Sequence, residues 1–177
     1  MDRHIFLIGP GGIGKTSCGP HLARLMSHEF VDLDELFMSG PGHIGCYIKC
    51  HGYAQYVRKN SEFFFQQFSK CILPRVWALS SGFLIAETEI ETVERNRAAI
   101  AKEGSSVLLL PHENPNECAK IVVNRQMQRG LNLRSETELP KFLARLPIYQ
   151  SLADQIVVYQ GTPNNAAKAI HNQLRNK

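Results

Sequence analysis

This sequence predicts an α/β fold, a five-stranded parallel sheet with helices on both faces, and three observations carry the prediction. A glycine-rich segment, Gly9-Pro10-Gly11-Gly12-Ile13-Gly14-Lys15-Thr16, directly follows the apolar run Ile5-Phe6-Leu7-Ile8. Short apolar runs without polar alternation then recur with helical stretches between them, the pattern of strands buried on both faces and joined by crossover helices. A pair of aspartates closes the second run, at the carboxyl end of a strand, where a doubly wound sheet gathers its ligands.

The elements follow in chain order. A first strand is expected over His4 to Ile8, then the loop, then a helix over Ser17 to Met26 that buries Leu22, Leu25 and Met26 at helical spacing. The loop matches G-x-x-x-x-G-K-[ST], in which each position has its own task. Glycines let successive N–H groups turn inward on one anion, and the following helix directs its unpaired amides and dipole at the same point. Lys15 supplies a full positive charge for the β- and γ-phosphates, and the Thr16 hydroxyl is placed for Mg²⁺. Gly11, Gly12, Ile13, Gly14, Lys15, Thr16 and Ser17 are therefore the expected nucleotide-binding residues.

A second strand is expected over Glu29 to Asp32. On an extended segment Asp32 and Asp34 point the same way, one for Mg²⁺ and the other for an acceptor hydroxyl. The alternative for either carboxylate is a cap on the helix that starts at Glu35-Leu36-Phe37. Ser39 to Gly52 reads as a mobile excursion; His43, Cys46, Cys50 and His51 there lack paired metal-ligand spacing. Tyr53 to Leu79 reads as one or two long helices with Tyr56, Phe63, Phe64, Phe68, Ile72 and Trp77 packed into the core, broken or kinked at Pro74. The remaining strands are expected over Phe83 to Ala86, Val107 to Leu110 and Gln155 to Tyr159, and Gly130 to Pro140 as a second mobile segment.

Composition narrows the class. One domain spans 1–177, with 44% hydrophobic residues and no apolar stretch long enough to cross a bilayer. Five cysteines without C-x-x-C pairs suit reduced thiols and a cytoplasmic setting. The net charge of +4 is mild and dispersed, which argues against a nucleic-acid partner and for a small anionic substrate bound by a monomer. A local basic cluster, Arg125, Arg129, Arg134, Lys141 and Arg145, follows the loop in sequence and is what phosphoryl transfer needs next.

With these residues in place, the chain resembles the shikimate kinases, a family of P-loop kinases related to the nucleoside monophosphate kinases. Ile5 to Thr16 and Phe30 to Asp34 match the family's opening and its F-x-D-x-D. Arg145-Leu146-Pro147-Ile148-Tyr149, followed by Ala153-Asp154, resembles its R-x-P-x-Y…A-D segment. The resemblance implies a three-layer P-loop kinase fold with a substrate-binding region about 33–62 and a lid about 125–140. It implies ATP and Mg²⁺ as cofactors and phosphorylation of a hydroxyl on a small carboxylate-bearing metabolite, shikimate to shikimate 3-phosphate, in aromatic amino acid biosynthesis. Asp32 falls on the metal side with Thr16, and Asp34 on the substrate hydroxyls. Arg145 falls on the substrate carboxylate. Arg129 in Arg129-Gly130-Leu131 is the lid arginine that reaches the phosphates and, with Lys15 and Asp34, completes the catalytic set. Arg125 and Pro163, the latter in Gln160-Gly161-Thr162-Pro163, fall on the nucleotide.

Two departures from the pattern leave the acceptor open. The family's G-E-x-x-F-R-x-x-E becomes Gly52 to Glu62 with the arginine one position late, about 100° of rotation on a helix. Arg58 is then expected in the site if the helix starts one residue later, paired with Glu62 at i,i+4. The family's glycine triad after the third strand is expected at Ile85-Ala86-Glu87-Thr88-Glu89, where two carboxylates replace bare backbone. Glu87 and Glu89 then turn away, or the pocket takes something other than shikimate. Three readings follow: a shikimate kinase, a P-loop kinase for another sugar acid or a nucleotide, and a nucleotide-binding relative without this activity.

Overall fold

A computed structural model of the chain describes residues 3–128 and 134–175. The elements run β1 His4–Ile8, α1 Lys15–Met26, β2 Glu29–Asp32, α2 Leu33–Ser39, α3 Ile44–His51, α4 Tyr53–Phe68, β3 Arg75–Ala78, α5 Ile90–Glu103, β4 Gly104–Leu110, α6 Pro115–Met127, α7 Ser135–Leu152, β5 Gln155–Val158 and α8 Pro163–Arg175. The five strands lie in the order β2-β3-β1-β4-β5 and every adjacent pair is parallel. This is the doubly wound α/β architecture the apolar runs predict.

Ile5, Phe6 and Leu7 of central β1 alternate between the faces of the sheet, yet all are at most 2% exposed. Both faces are therefore covered. Phe6 and its register partner Trp77 meet Phe64 of α4, with ring centroids 6.3 and 5.2 Å from it. α1 packs along β1, β2 and β3 and against α8. Gly19 permits that approach: a Cβ there would sit 2.0 Å from the Phe30 ring.

The third strand corrects the sequence reading. Tyr53 to Leu79 is not continuous helix; α4 stops at Phe68, six residues short of Pro74, and Arg75–Ala78 is β3 between β1 and β2. Trp77 extended an aromatic and apolar run that reads as core packing in either element, but its neighbours Val76 and Ala78 complete a buried strand that starts directly after Pro74. Phe83 to Ala86 is correspondingly not a strand. The Phe83, Ile85 and Ala86 amides donate back to Ser80 and Gly82 carbonyls in successive turns. All four side chains in that run are buried, so hydrophobicity reported burial there and not extension.

The expected substrate-binding region 33–62 comprises α2, α3 and the first part of α4. Of the expected lid 125–140, residues 125–127 end α6 and 135–140 open α7. Arg129 lies outside the described residues.

Candidate active site

The phosphate loop sits between the carboxyl end of β1 and the start of α1. Gly12 at φ 79° and Gly14 at φ 113° have left-handed backbones, which would cost a residue with a Cβ about 1–2 kcal/mol. Space forbids one as well, since a Cβ on Gly12 would lie 2.8 Å from the Val122 carbonyl oxygen and one on Gly14 would lie 2.8 Å from the Tyr159 hydroxyl. Gly14 caps α1 with no side chain of its own, leaving the first amides of the helix for an anion. Lys15 is buried against the loop, its Nζ donating to the Gly9 and Pro10 carbonyls at 2.7 and 3.0 Å.

Three cavities meet around this loop. The largest, about 300 Å³, is lined by Gly12, Gly14, Ser17, Arg125, Tyr159 and Pro163 among others. Arg125 donates from Nη1 to the Tyr159 hydroxyl at 3.0 Å, and that hydroxyl donates to the Ile13 carbonyl at 3.3 Å. A second cavity of about 50 Å³ holds Lys15, Thr16, Asp32, Asp34 and Ser81. A third of about 60 Å³ runs from Pro10 and Gly11 past Ser81 to Lys141 and Arg145. Gly12 and Gly14 are common to the first two cavities, and Gly11 and Ser81 to the second and third.

Asp32 and Asp34 both reach the middle cavity, but not as two positions on one strand. The strand ends at Asp32, which caps α2: its Oδ1 accepts from the Asp34 and Glu35 amides at 2.9 and 3.3 Å. Its other oxygen, Oδ2, accepts from the Thr16 hydroxyl at 2.6 Å. One carboxylate thus caps α2 and also meets the Thr16 hydroxyl. Asp34 lies in the first turn of α2, and its Oδ1 accepts from the Ser80 hydroxyl at 2.5 Å.

The glycine-triad position is also corrected. Because β3 ends at Ala78, the stretch after the third strand is Leu79-Ser80-Ser81-Gly82 and not Ile85 to Glu89. Two serines, rather than two glutamates, follow the strand: Ser81 lines the cavities beside the phosphate loop, and the Ser80 hydroxyl meets Asp34. The Tyr149 hydroxyl donates to the Ser81 carbonyl, and burial holds that phenol well above its usual pKa. The Tyr53 hydroxyl lies 2.3 Å from where a Gly82 Cβ would stand, so this position alone keeps its glycine for space.

Arg58 is engaged elsewhere. It clamps Glu89 with two bonds, Nε at 2.5 Å and Nη2 at 2.7 Å, and the pair holds the Glu89 carboxyl below its usual range. The expected Arg58–Glu62 pair does not form; Glu62 pairs with Lys59 at 2.9 Å. The helix does not start late, and Val57 occupies the inward position, 4% exposed in a cluster with Phe37, Tyr56, Ala86 and Val93. Arg58 lines none of the three cavities.

Ser80, Ser81 and Tyr159 were not singled out from sequence, and Lys141 stood there only as a member of the basic cluster. Ser80 and Ser81 follow a strand at its carboxyl end, so a correct reading of Arg75 to Ala78 would have found them. Tyr159 ends the last apolar run, and only tertiary packing brings it to Gly14.

Phosphoryl transfer to a hydroxyl needs a nucleotide cradle, an oxygen pair for a divalent cation and an acceptor space in sequence, and that order defines a P-loop phosphotransferase acting on an alcohol. The chain belongs to the shikimate kinase family, whose model, described as shikimate kinase, matches residues 11–175. Shikimate kinases from Shewanella woodyi and Vibrio campbellii are 27% and 28% identical to it, each alignment covering 97% of this chain and 94% of the relative. A solved shikimate kinase from Acinetobacter baumannii, in complex with shikimate, superposes with a TM-score of 0.77 at 27% identity, covering 100% of this chain and 96% of the other. A gluconokinase from Sinorhizobium meliloti, 17% identical with a TM-score of 0.63 over 99% and 95% of the two chains, shares the fold.

Proposed function

We propose that this chain transfers the γ-phosphoryl group of ATP to the 3-hydroxyl of shikimate. The observation that carries the reading is the shared rim of the middle and acceptor cavities. Asp34 lines one cavity and Arg145 the other, and Gly11 and Ser81 line both. The loop amides and Lys15 hold the triphosphate, with the nucleoside in the 300 Å³ cavity beside Arg125, Tyr159 and Pro163.

Thr16 and Asp32 offer hard oxygens held 2.6 Å apart, the donor chemistry Mg²⁺ selects. When bound, the ion would neutralise phosphate charge. Asp34 orients the acceptor hydroxyl and takes its proton as the new O–P bond forms and the bond to the β,γ-bridging oxygen breaks, releasing ADP. Arg145 pairs with the acceptor carboxylate; Arg129, outside the described residues, is the lid arginine that the family resemblance assigns to the phosphates.

Coupled ADP release with shikimate, gluconate and a nucleoside monophosphate tests the proposal. Shikimate-dependent turnover is expected; acceleration by another acceptor alone would refute it. A different acceptor is the second reading, favoured by Val57 at the family's arginine position and by the commitment of Arg58 to Glu89.

A further inference from the structure

The segment leaving β3 carries a side chain in direct contact with the acceptor-side carboxylate. Ser80 is 5% exposed, and its hydroxyl lies 2.5 Å from Asp34 Oδ1. An ionised carboxylate only accepts, so the single Ser80 proton is spent on Asp34. The Ser80 oxygen is then left to accept, and Asn60 Nδ2, on a side chain 2% exposed, donates to it at 3.0 Å. Reversing the Asn60 amide would set its oxygen against the lone pairs of Ser80 with no proton between them. The direction of the chain Asn60→Ser80→Asp34 is therefore fixed by chemistry.

The framework behind the chain is also fixed. The Tyr56 hydroxyl reaches Ser80, and burial together with the Asp34 charge keeps that phenol protonated. One residue on, Ser61 donates to Asn96 Oδ1 at 2.6 Å, and Asn96 Nδ2 donates to the Phe83 carbonyl at 3.0 Å, all three residues buried. α4 and α5 thus grip the segment that carries Ser80. Asp34 Oδ2 meanwhile has no protein partner among the described residues, although Asp34 lines the cavity that holds Lys15 and Thr16.

We propose that Ser80 is a positioning residue for phosphoryl transfer: it pins one oxygen of Asp34 so that the other meets the acceptor hydroxyl, and Asn60 holds Ser80 in that orientation. The proposal rests on the kinase reading given above. A carboxylate on the first turn of a short helix is otherwise free to rotate, and small misplacements of a reacting group cost large factors in rate. Ser80 acts on geometry and touches neither nucleotide nor acceptor carboxylate. Its removal should consequently lower kcat and leave the KM for ATP within twofold.

Steady-state ADP release by the full chain tests this. Ser80→Ala should lower shikimate-dependent kcat about tenfold or more, the scale of a hydrogen bond to a charged group, and Ser80→Thr, which keeps the hydroxyl, should recover most of the loss. On an Asp34→Asn background, Ser80→Ala should change the residual rate less than twofold, a result that merely loosened packing would not give. Equal losses in the Ala and Thr variants would overturn the proposal, as would a kcat for Ser80→Ala within twofold of the parent or a full tenfold loss on the Asp34→Asn background. An active parent enzyme with unaffected Ser80 variants sinks this inference alone. A parent without shikimate-dependent turnover sinks the kinase reading and this inference together.

Discussion

The two ends of the active site are built by different means. The nucleotide end is a run of consecutive residues, Gly9 to Ser17, whose main chain does the binding on the proposed reading and whose glycines are required by φ and by the contacts of Val122 and Tyr159. The acceptor end is assembled from α2, the β3 exit, α4 and α7, and side chains do the work: Asp34, Ser80, Asn60 and Arg145. A main-chain site is specified by spacing and tolerates little change. An assembled site can exchange one side chain for another while the frame holds.

The sharpest way to break the contrast is at the nucleotide end. Lys15→Ala removes the one full charge inside the loop and should lower kcat/KM for ATP more than a hundredfold, the scale of losing a preorganised charge at a transferring group. Circular dichroism should show an intact fold. A loss under tenfold would mean that the loop does not govern turnover.

At the acceptor end the two arginines should separate. Arg145→Ala, beside Lys141 and Ser81, should raise the KM for shikimate about ten- to hundredfold, as expected for losing a charge-assisted bidentate pair. Arg58→Ala should change it less than threefold, because the guanidinium is already bound to Glu89. If the Arg58 variant proved the more damaging, the carboxylate would have to sit beside α4 and not beside α7.

The same contrast explains what could be read without coordinates. The parallel sheet and the phosphate loop were legible, because strict spacing and unbroken apolar runs are local signals. β3 was not, since Arg75 to Ala78 is a short apolar run that prolongs the aromatic stretch before it, and only pairing with β1 and β2 makes it a strand. That one error displaced the glycine-triad position onto Glu87 and Glu89 and hid Ser80 and Ser81. Asp32 and Asp34 were legible as residues but not as geometry: two carboxylates two apart suit a strand or a cap equally, and Asp32 makes the cap and meets Thr16. Arg58 misled because its sequence offset from Gly52 says nothing of Glu89, thirty-one residues away.

A smaller effect sharpens the nucleotide end where it departs from pure main chain. The Tyr159 hydroxyl links Arg125 to the Ile13 carbonyl and lies over Gly14. Tyr159→Phe keeps the ring and removes the link, and should raise the KM for ATP about two- to fivefold, the scale of one neutral hydrogen bond, with kcat little changed. An unchanged KM would assign the orientation of Arg125 to other contacts.

The smallest effect lies beneath both ends, at the foot of β1. His4 Nδ1 accepts from the Arg75 amide at 3.1 Å and from Trp77 Nε1 at 3.2 Å, with its ring 4.7 Å from Phe68. Burial lowers its pKa below the usual 6.5; Glu103 opposes the shift, while Arg75 and His28 add to it. A proton on Nδ1 would turn the acceptor into a donor facing two donors. The folded chain therefore binds fewer protons than the unfolded chain just below pH 6.5, and this contribution is present above 6.5 and is lost as pH falls through the lower, folded-state pKa. His4→Asn offers a side-chain oxygen that accepts without titrating. Its Tm should fall less between pH 7 and pH 5 than that of the parent, by about 2–4 °C per kcal/mol of linkage removed for a chain of this size; parallel curves would show that β1 and β3 are joined without dependence on the neutral imidazole.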